Sequence, residues 1–200
     1  PYRIYSDGAQ TVAAVAGALF AWQQRHSDHP LVDRQLFRGR SLAVALADRP
    51  ELRVHVVLDE RSAAFTALGL GIGTGAPAVL LCTSGTAAAN FHPAVVEAHQ
   101  SAVPMVVITA DRPPELHGVG APQTIDQRNL YGTAVRWYCE PGPPAADGAP
   151  WWRDLARDAW TRTSGTKPGP VHLDLAFREP LLGTVGDLPP RHEPLAPTPS

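Results

Sequence analysis

The sequence predicts an α/β fold in which one open parallel β-sheet carries helices on both faces. Four short apolar runs, at residues 54–58, 78–82, 105–109 and 171–175, have the β-branched and aliphatic composition of buried parallel strands. Segments of helical length separate these runs. Alternation of strands and helices is typical of a parallel sheet covered by helices.

The predicted helices follow from the composition of the intervening segments. Residues 61–71 are rich in Ala and Leu and end in glycines, and residues 86–99 carry an apolar face. A further helix is predicted over residues 152–163, before the last strand, and another over residues 11–24 near the N-terminus.

Proline and glycine mark the limits of the predicted folded unit. Residues 141–150 are rich in Pro, Gly and Ala and are expected to form a surface loop. The sequence predicts a folded domain over residues 36–182, preceded by a segment (1–35) with one helix. Residues 183–200 are Pro-rich and are expected to form a linker or tail.

Composition excludes several classes of function. The 200-residue chain has a net charge of −2 and scattered Lys and Arg, which argues against a nucleic-acid groove or a membrane-surface patch. It has no apolar run of the roughly 20 residues that a membrane span needs and no secretory signal, so a cytoplasmic location is expected. Cys82 and Cys139 are expected to be reduced, Cys82 as a buried apolar residue, and His92 and His172 are expected to be packing residues.

The first candidate site residue is Glu60, where a predicted strand ends and a helix begins. Ligands of open α/β sheets bind at the carboxyl ends of the strands, so Glu60 is placed to contact one. The alternative is an acidic residue that merely stabilises a helix N-terminus through the helix dipole.

The second candidate segment contains Thr83, Ser84 and Gly85, between the next strand and the next helix. Small hydroxyl residues and a glycine allow a polar ligand to approach the backbone closely. The segment lacks the Gly-Lys-Ser/Thr of a phosphate-binding Walker loop. The alternative is an ordinary helix cap made by Thr83 or Ser84.

The third candidate segment contains Arg112, followed by two prolines that stiffen the loop. Its planar guanidinium suits a carboxylate, and the alternative is an ion pair with Asp111 or Glu115. Further along, Gln123 and Gln127 are each expected to bind a ligand or to cap the next helix. All three segments follow strand ends on one rim of the sheet, so together they predict a site.

These segments resemble the MenD-type family of thiamine-diphosphate enzymes, the 2-succinyl-5-enolpyruvyl-6-hydroxy-3-cyclohexene-1-carboxylate synthases. The similarity covers about residues 38–182, with the order and spacing of the motifs kept. The motifs that carry it are DERSA at 59–63, TSGTA at 83–87 with Asn90, ADRPPEL at 110–116, GA at 120–121 with Gln123, GPVH at 169–172 and REPL at 178–181.

The resemblance implies that the domain binds the pyrimidine half of thiamine diphosphate. Glu60 would be catalytic, because in this family the glutamate hydrogen-bonds the pyrimidine ring nitrogen and thereby activates the cofactor. The implied cofactor-binding residues are Glu60, Thr83, Ser84, Gly85 and Asn90. The implied substrate-binding residues are Arg38, Arg112 and Gln123, although Phe37 stands where the family has a serine beside the arginine and Pro122 where it usually has Asn.

The resemblance also implies the reaction and the partners. The family joins decarboxylated 2-oxoglutarate to isochorismate in menaquinone biosynthesis, with Mg2+ or Mn2+ held by a diphosphate-binding domain, commonly in a homodimer or larger homo-oligomer. Gly186-Asp187 is followed by Leu188, so the Gly-Asp-Gly metal motif is not formed and the fragment alone is expected to be inactive. The alternatives are an acetolactate-synthase-like carboligase and a non-catalytic binding or assembly domain of the same fold.

Overall fold

The computed structural model describes residues 2–6, 46, 53–143 and 149–178 of the chain, with residues 2–6 and 149–153 described through their backbone alone. The strands are β1 Tyr2–Ser6, β2 Val54–Val57, β3 Ala78–Cys82, β4 Met105–Asp111, β5 Trp137–Cys139 and β6 Pro170–Ala176. The α-helices are α1 Glu60–Thr74, α2 Thr86–Asn90, α3 His92–Gln100 and α4 Ala149–Thr163. Two short 3-10 helices span Pro114–Leu116 and Gly132–Ala134.

The six described strands form one sheet in the order β2-β1-β3-β4-β6-β5. Strands β3, β4, β6 and β5 pair in parallel, whereas β1 is antiparallel to both of its neighbours, β2 and β3. Strand β2 therefore runs in the same direction as β3, and the carboxyl ends of β2, β3 and β4 lie at the same edge. The predicted α/β class is confirmed, although the sheet is not parallel throughout.

Helices cover both faces of the sheet, as predicted. Because successive side chains of a strand point to opposite faces, each central strand contributes to two cores. On one face, Val79 and Leu81 pack in a cluster that includes Leu155 of α4. On the other, Leu80 and Cys82 pack in a cluster with residues from α1, α2 and α3.

The four predicted strands are confirmed, and the helices differ in detail. Helix α1 extends beyond the predicted 61–71 and ends at Gly75, whose left-handed conformation (φ +67°) lets its N–H donate to the carbonyl of Gly71. The single helix predicted over 86–99 is wrong. It is divided into α2 and α3 at Phe91, because Pro93 has no N–H to continue the helical hydrogen bonds.

The structure adds two strands that the sequence analysis did not predict, β1 and β5. It also begins α4 at Ala149, inside the predicted loop 141–150. The helix predicted over 11–24, residues 183–200 and Arg38 lie outside the described residues, and the domain boundaries stay predictions. None of the described helices combines the length and the hydrophobicity that crossing a bilayer requires.

Candidate functional site

Glu60 is the first residue of α1 and lies at the carboxyl edge of the sheet. The helix cap is Asp59, whose Oδ1 accepts a hydrogen bond of 2.7 Å from the backbone N–H of Ser62. Capping therefore does not occupy Glu60, whose carboxylate forms no hydrogen bond or ion pair with another described residue.

The thiol of Cys82, at the end of β3, is close enough to the carboxylate of Glu60 for the two groups to interact electrostatically. Burial raises the pKa of Cys82 well above its ordinary value, and the nearby carboxylate of Glu60 raises it further. Cys82 is 5% exposed, so it is the buried residue that the sequence predicts, with a thiol that stays protonated at neutral pH. Glu60 thus lies near the point where β3 ends.

The turn after β3 requires a glycine at position 85, immediately before α2. Its φ of +83° and ψ of −143° favour glycine, and a Cβ atom there would lie 3.0 Å from the carbonyl oxygen of Gln123. The alternative role of this segment, a helix cap by Thr83 or Ser84, is excluded, because no side chain caps α2. The hydroxyl of Ser84 donates instead to the carbonyl of Gln123, at 3.0 Å.

The two glutamines of the 118–127 segment hold it against this turn. The Nε2 atom of Gln123 donates to Thr83 Oγ1 at 2.8 Å and to the carbonyl of Ser84 at 3.1 Å. The Oε1 atom of Gln127 accepts from the backbone N–H of Gly85 at 2.6 Å. The expectation that Gln127 binds a ligand or caps a helix is therefore wrong, since its amide is used inside the protein.

The guanidinium of Arg112 has no carboxylate partner among the described residues. Its Nη2 donates to the carbonyl of Pro122 at 3.3 Å, and its buried Nε has no hydrogen-bond partner. The alternative of an ion pair between Arg112 and Asp111 or Glu115 is excluded, because Glu115 pairs with Arg178 at 2.6 Å and Asp111 with His117 at 3.2 Å. The positive charge of Arg112 thus remains available for an anion.

A buried polar network below this edge escaped the sequence analysis. Asp174 Oδ1 accepts from Thr109 Oγ1 at 2.7 Å and from Gln127 Nε2 at 3.0 Å, and His172 Nε2 lies 2.8 Å from Thr109 Oγ1. The signal in the sequence is the pattern VHLDL, which sets two polar side chains on one face of an otherwise apolar strand. His172 is the buried packing residue that was expected, with its ring 4.6 Å from that of Tyr131.

The structure brings most of the predicted site residues to one edge. Thr83, Ser84, Gly85, Arg112 and Gln123 are joined through the 118–127 segment, and Glu60 lies at the same edge. Their binding roles stay predictions.

Two of the predicted residues are not part of this cluster. Asn90 is exposed on α2 and donates to the carbonyl of Thr86 at 3.1 Å, and Arg38 lies outside the described residues.

Two further features of the described residues distinguish this edge from a metal site and from the open cavity of the domain. In the part of the chain that the structure describes, no group of three or more His, Cys, Asp or Glu residues is arranged to hold a metal ion. An open cavity of about 530 Å³ lies at the opposite edge of the sheet, between the end of α1 at Gly75 and the start of β4 after Pro104. That cavity contains none of the predicted site residues.

Comparison with known proteins agrees with this arrangement. Residues 38–130 match the family described as "Thiamine pyrophosphate enzyme, N-terminal TPP binding domain". Similar curated proteins named 2-succinyl-5-enolpyruvyl-6-hydroxy-3-cyclohexene-1-carboxylate synthase occur in Thermobifida fusca, Haloarcula marismortui and Geobacillus kaustophilus.

The similarity is high but covers only part of each relative. The Thermobifida protein is 54% identical over 154 residues, which are 76% of this chain and 28% of the relative. The Haloarcula protein is 54% identical over 74% of this chain and 25% of the relative, and the Geobacillus protein 52% identical over 75% and 26%. The aligned part of this chain thus spans about a quarter of the length of these relatives. Residues 38–130 of this chain are thus similar to the N-terminal TPP-binding domain of thiamine pyrophosphate enzymes.

Proposed function

We propose that this chain is the pyrimidine-binding module of a 2-succinyl-5-enolpyruvyl-6-hydroxy-3-cyclohexene-1-carboxylate synthase. The whole enzyme would be a thiamine-diphosphate-dependent transferase that joins decarboxylated 2-oxoglutarate to isochorismate in menaquinone biosynthesis. The observation that carries this proposal is the carboxylate of Glu60, which has no described partner and lies at the same sheet edge as the Gly85 turn and Arg112. Relatives of that name that are more than half identical support it.

The residues at this edge fit the aminopyrimidine half of thiamine diphosphate. Glu60 would hold a proton at the ring nitrogen, and its freedom from internal hydrogen bonds leaves both carboxylate oxygens for that contact. The buried side chains of Cys82 and Ala87 offer an apolar surface nearby, and Thr83, Ser84 and Gly85 form the turn above it. When bound, the cofactor supplies a nucleophilic thiazolium carbon and an electron sink for decarboxylation.

Hydrogen bonds within the protein limit how the cofactor can contact the turn at residues 83–85. The N–H of Gly85 is already bonded to Gln127, and Gln123 fills the space where a Cβ would lie, so the cofactor would gain no hydrogen bond from the Gly85 amide. Asn90, one turn along α2, would approach the cofactor from the exposed side of that helix.

Arg112 and Gln123 are the described residues best placed to bind substrate. Both substrates of the proposed reaction carry carboxylates, and the unneutralised guanidinium of Arg112 is suited to one of them. The Nε2 of Gln123 already donates to Thr83 and Ser84, so its free Oε1 would accept a hydrogen bond from a substrate hydroxyl group. Arg38 is proposed as a third contact on the strength of the resemblance.

The metal ion and the diphosphate group would be held elsewhere. The described residues do not fit a Mg2+ or Mn2+ site, which needs several oxygen ligands. We assign these ligands to a diphosphate-binding domain of the same or another subunit, and we expect the module by itself to be inactive. A cytoplasmic location is proposed with this function.

The exposed face of α1 supports assembly with another copy of the protein. Phe65 and Ile72 are seven residues apart, hence on one side of the helix, and are 44% and 62% exposed. Because Glu60 begins the same helix, a subunit that packs on this face would lie beside the proposed cofactor site. We therefore propose a homodimer in which α1 contributes to the interface.

A non-catalytic binding or assembly domain of the same fold is the second candidate. It is favoured by the first loop, where Phe37 replaces the serine of the family pattern and the family match begins only at residue 38. An acetolactate-synthase-like activity has less support, because the three relatives described above are all named 2-succinyl-5-enolpyruvyl-6-hydroxy-3-cyclohexene-1-carboxylate synthase.

Replacing Glu60 with glutamine tests the proposed function in the full-length protein. We expect Glu60→Gln to lower kcat by at least about 100-fold, because the amide cannot exchange a proton with the pyrimidine ring, while the free energy of unfolding stays the same. Steady-state kinetics with both substrates measures this effect. Glu97→Gln on the exposed side of α3 is the matched control and should be fully active.

Two results would contradict the proposal. One is normal turnover by the Glu60→Gln protein. The other is a wild-type protein that neither binds thiamine diphosphate nor turns over in the presence of a diphosphate domain, which would favour the non-catalytic alternative.

Replacing Arg112 with alanine tests the substrate contact separately. Loss of a charge-assisted contact of about 1.5–3 kcal/mol predicts a rise in KM of roughly 10- to 100-fold for one substrate, with a smaller change in kcat. Arg157→Ala removes an exposed α4 side chain that pairs with Asp154 and should leave KM unchanged. An unchanged KM for both substrates in Arg112→Ala would exclude this role.

A further inference from the structure

One buried side chain, that of Gln127, links the ends of three strands just below the proposed site. Its Oε1 accepts from the backbone N–H of Gly85, after β3, at 2.6 Å. Its Nε2 donates to the carbonyl of Ala110 in β4 at 2.9 Å and to Asp174 Oδ1 in β6 at 3.0 Å. Gln127 is 1% exposed, so water does not compete for these bonds.

Only an amide of this length satisfies all three partners. The carbonyl end must face a donor, Gly85 N–H, and the NH2 end must face two acceptors, Ala110 O and Asp174 Oδ1. A glutamate lacks the two donors and adds charge beside Asp174. A methionine removes the hydrogen bonds to Gly85 N–H and Ala110 O and leaves Asp174 Oδ1 with Thr109 as its remaining partner. Leaving a buried donor or acceptor unpaired is costly, so the three bonds reinforce one another.

The partner of Gln127 in β6 is itself fixed in place. The hydroxyl hydrogen of Thr109 goes to Asp174 Oδ1, so the Nε2 of His172, 2.8 Å from Thr109 Oγ1, must carry a hydrogen and donate it to that oxygen. The ring of His172 packs against those of Tyr131 and Tyr138, with centroid distances of 4.6 Å and 5.2 Å. The Oδ1 atom of Asp174 is therefore held by Thr109 as well as by Gln127, whereas its buried Oδ2 has no hydrogen-bond partner among the described residues.

We propose that Gln127 is a positioning residue, which sets the Gly85 turn at a fixed distance from the Arg112 loop. Ala110 lies two residues before Arg112, so the bonds of Gln127 to Gly85 and Ala110 connect the proposed cofactor turn directly to the proposed substrate loop. The consequence for cofactor binding rests on the proposed function, whereas the restraint on the turn does not. Gln127 itself would contact neither cofactor nor substrate.

The experiment compares Gln127→Met and Gln127→Asn with wild type in the full-length protein. Methionine keeps the approximate volume without the hydrogen bonds, and asparagine keeps the amide one methylene too short, as a milder change. Gln100→Met is the matched control, because Gln100 is exposed at the end of α3. The readouts are backbone hydrogen exchange at Gly85, the Kd for thiamine diphosphate, and kcat and KM.

In both variants we expect exchange at the Gly85 N–H to rise at least about 10-fold, while exchange in α1 and β4 stays unchanged. The Kd for thiamine diphosphate and the KM for substrate should rise together by about 10-fold in Gln127→Met and by less in Gln127→Asn. Gln100→Met should match wild type in every readout.

Unchanged exchange at Gly85 would overturn the proposal, and so would an increase spread evenly over the domain, which indicates general destabilisation. Local loosening of Gly85 without any change in Kd or KM would also overturn it, provided that the wild type binds thiamine diphosphate. If the wild type fails to bind the cofactor, the proposed function fails, and the exchange at Gly85 still decides whether Gln127 restrains the turn.

Discussion

At the scale of single residues, Gly85 is the position where the site has the least freedom to vary. It combines a positive φ with close contact to the backbone of Gln123. We expect Gly85→Ala to lower the free energy of unfolding by about 1–3 kcal/mol, because an L side chain at this φ is strained and its Cβ crowds Gln123.

Urea denaturation of wild type and variant measures this difference. Gly73→Ala is the matched control, since a Cβ there meets nothing within 4 Å and alanine favours the helix. Equal stability of the Gly85→Ala protein and wild type would show that the turn adapts at little cost.

Single residues also show where reasoning from local sequence fails. Ser84 and Thr83 have the character of helix caps, yet they bond to Gln123, about 40 positions away. Glu115 is three residues from Arg112, yet it pairs with Arg178. Local patterns identify which groups need partners, and the fold decides which partners they find.

At the scale of elements, β6 is a fully buried strand that carries two ionisable side chains, those of His172 and Asp174. Burial lowers the pKa of His172 to about 3 and is the main cause that raises the pKa of Asp174 to about 7, with Asp111 and Glu140 adding to the rise. Hydrogen bonds from Thr109 and Gln127 oppose the shift of Asp174. The two shifts act on stability in opposite directions as pH changes.

The raised pKa of Asp174 contributes stability that is fully present below about pH 4 and lost as pH rises to about 7. The lowered pKa of His172 makes stability rise with pH between about 3 and 6.5. The two nearly cancel in wild type between about pH 4 and 6.5. We therefore expect Asp174→Asn to expose the His172 effect, so that its stability relative to wild type rises by up to about 1.4 kcal/mol per pH unit.

Chemical denaturation of both proteins at pH 5, 6 and 7 measures this relative stability. Asp154→Asn on α4 is the control, because Asp154 is exposed, and its difference from wild type should not follow the same trend. A relative stability of Asp174→Asn that is independent of pH would contradict the assignment.

At the scale of the whole molecule, the sequence predicts the fold class well and the contacts within the site poorly. The four runs of buried strand are strong signals because each is apolar on both faces, and the edge that carries Glu60, Gly85 and Arg112 follows from their common direction. Strand β5 is short and half-buried, and the Asp174 network joins residues 47 to 65 positions apart. Neither the short strand β5 nor the Asp174 network produces a periodic pattern in the sequence.

Strand β1 is a second element that the sequence signals only weakly. Its five residues lie between β2 and β3, where an antiparallel neighbour completes the ladder of backbone hydrogen bonds on both sides. The residues Tyr2, Ile4 and Tyr5 of YRIYS, followed by Asp7 and Gly8, are a weak strand signal that could have identified it.

The direction of β1 determines at which edge of the sheet residue 2 lies. Tyr2 lies opposite Val57 and Ser6 opposite Ala78, so the strand begins at the edge occupied by Glu60 and runs away from it. Residue 2 therefore lies at the edge that a ligand has to enter in the proposed site. A fluorophore attached there would, for the same reason, be well placed to register ligand entry.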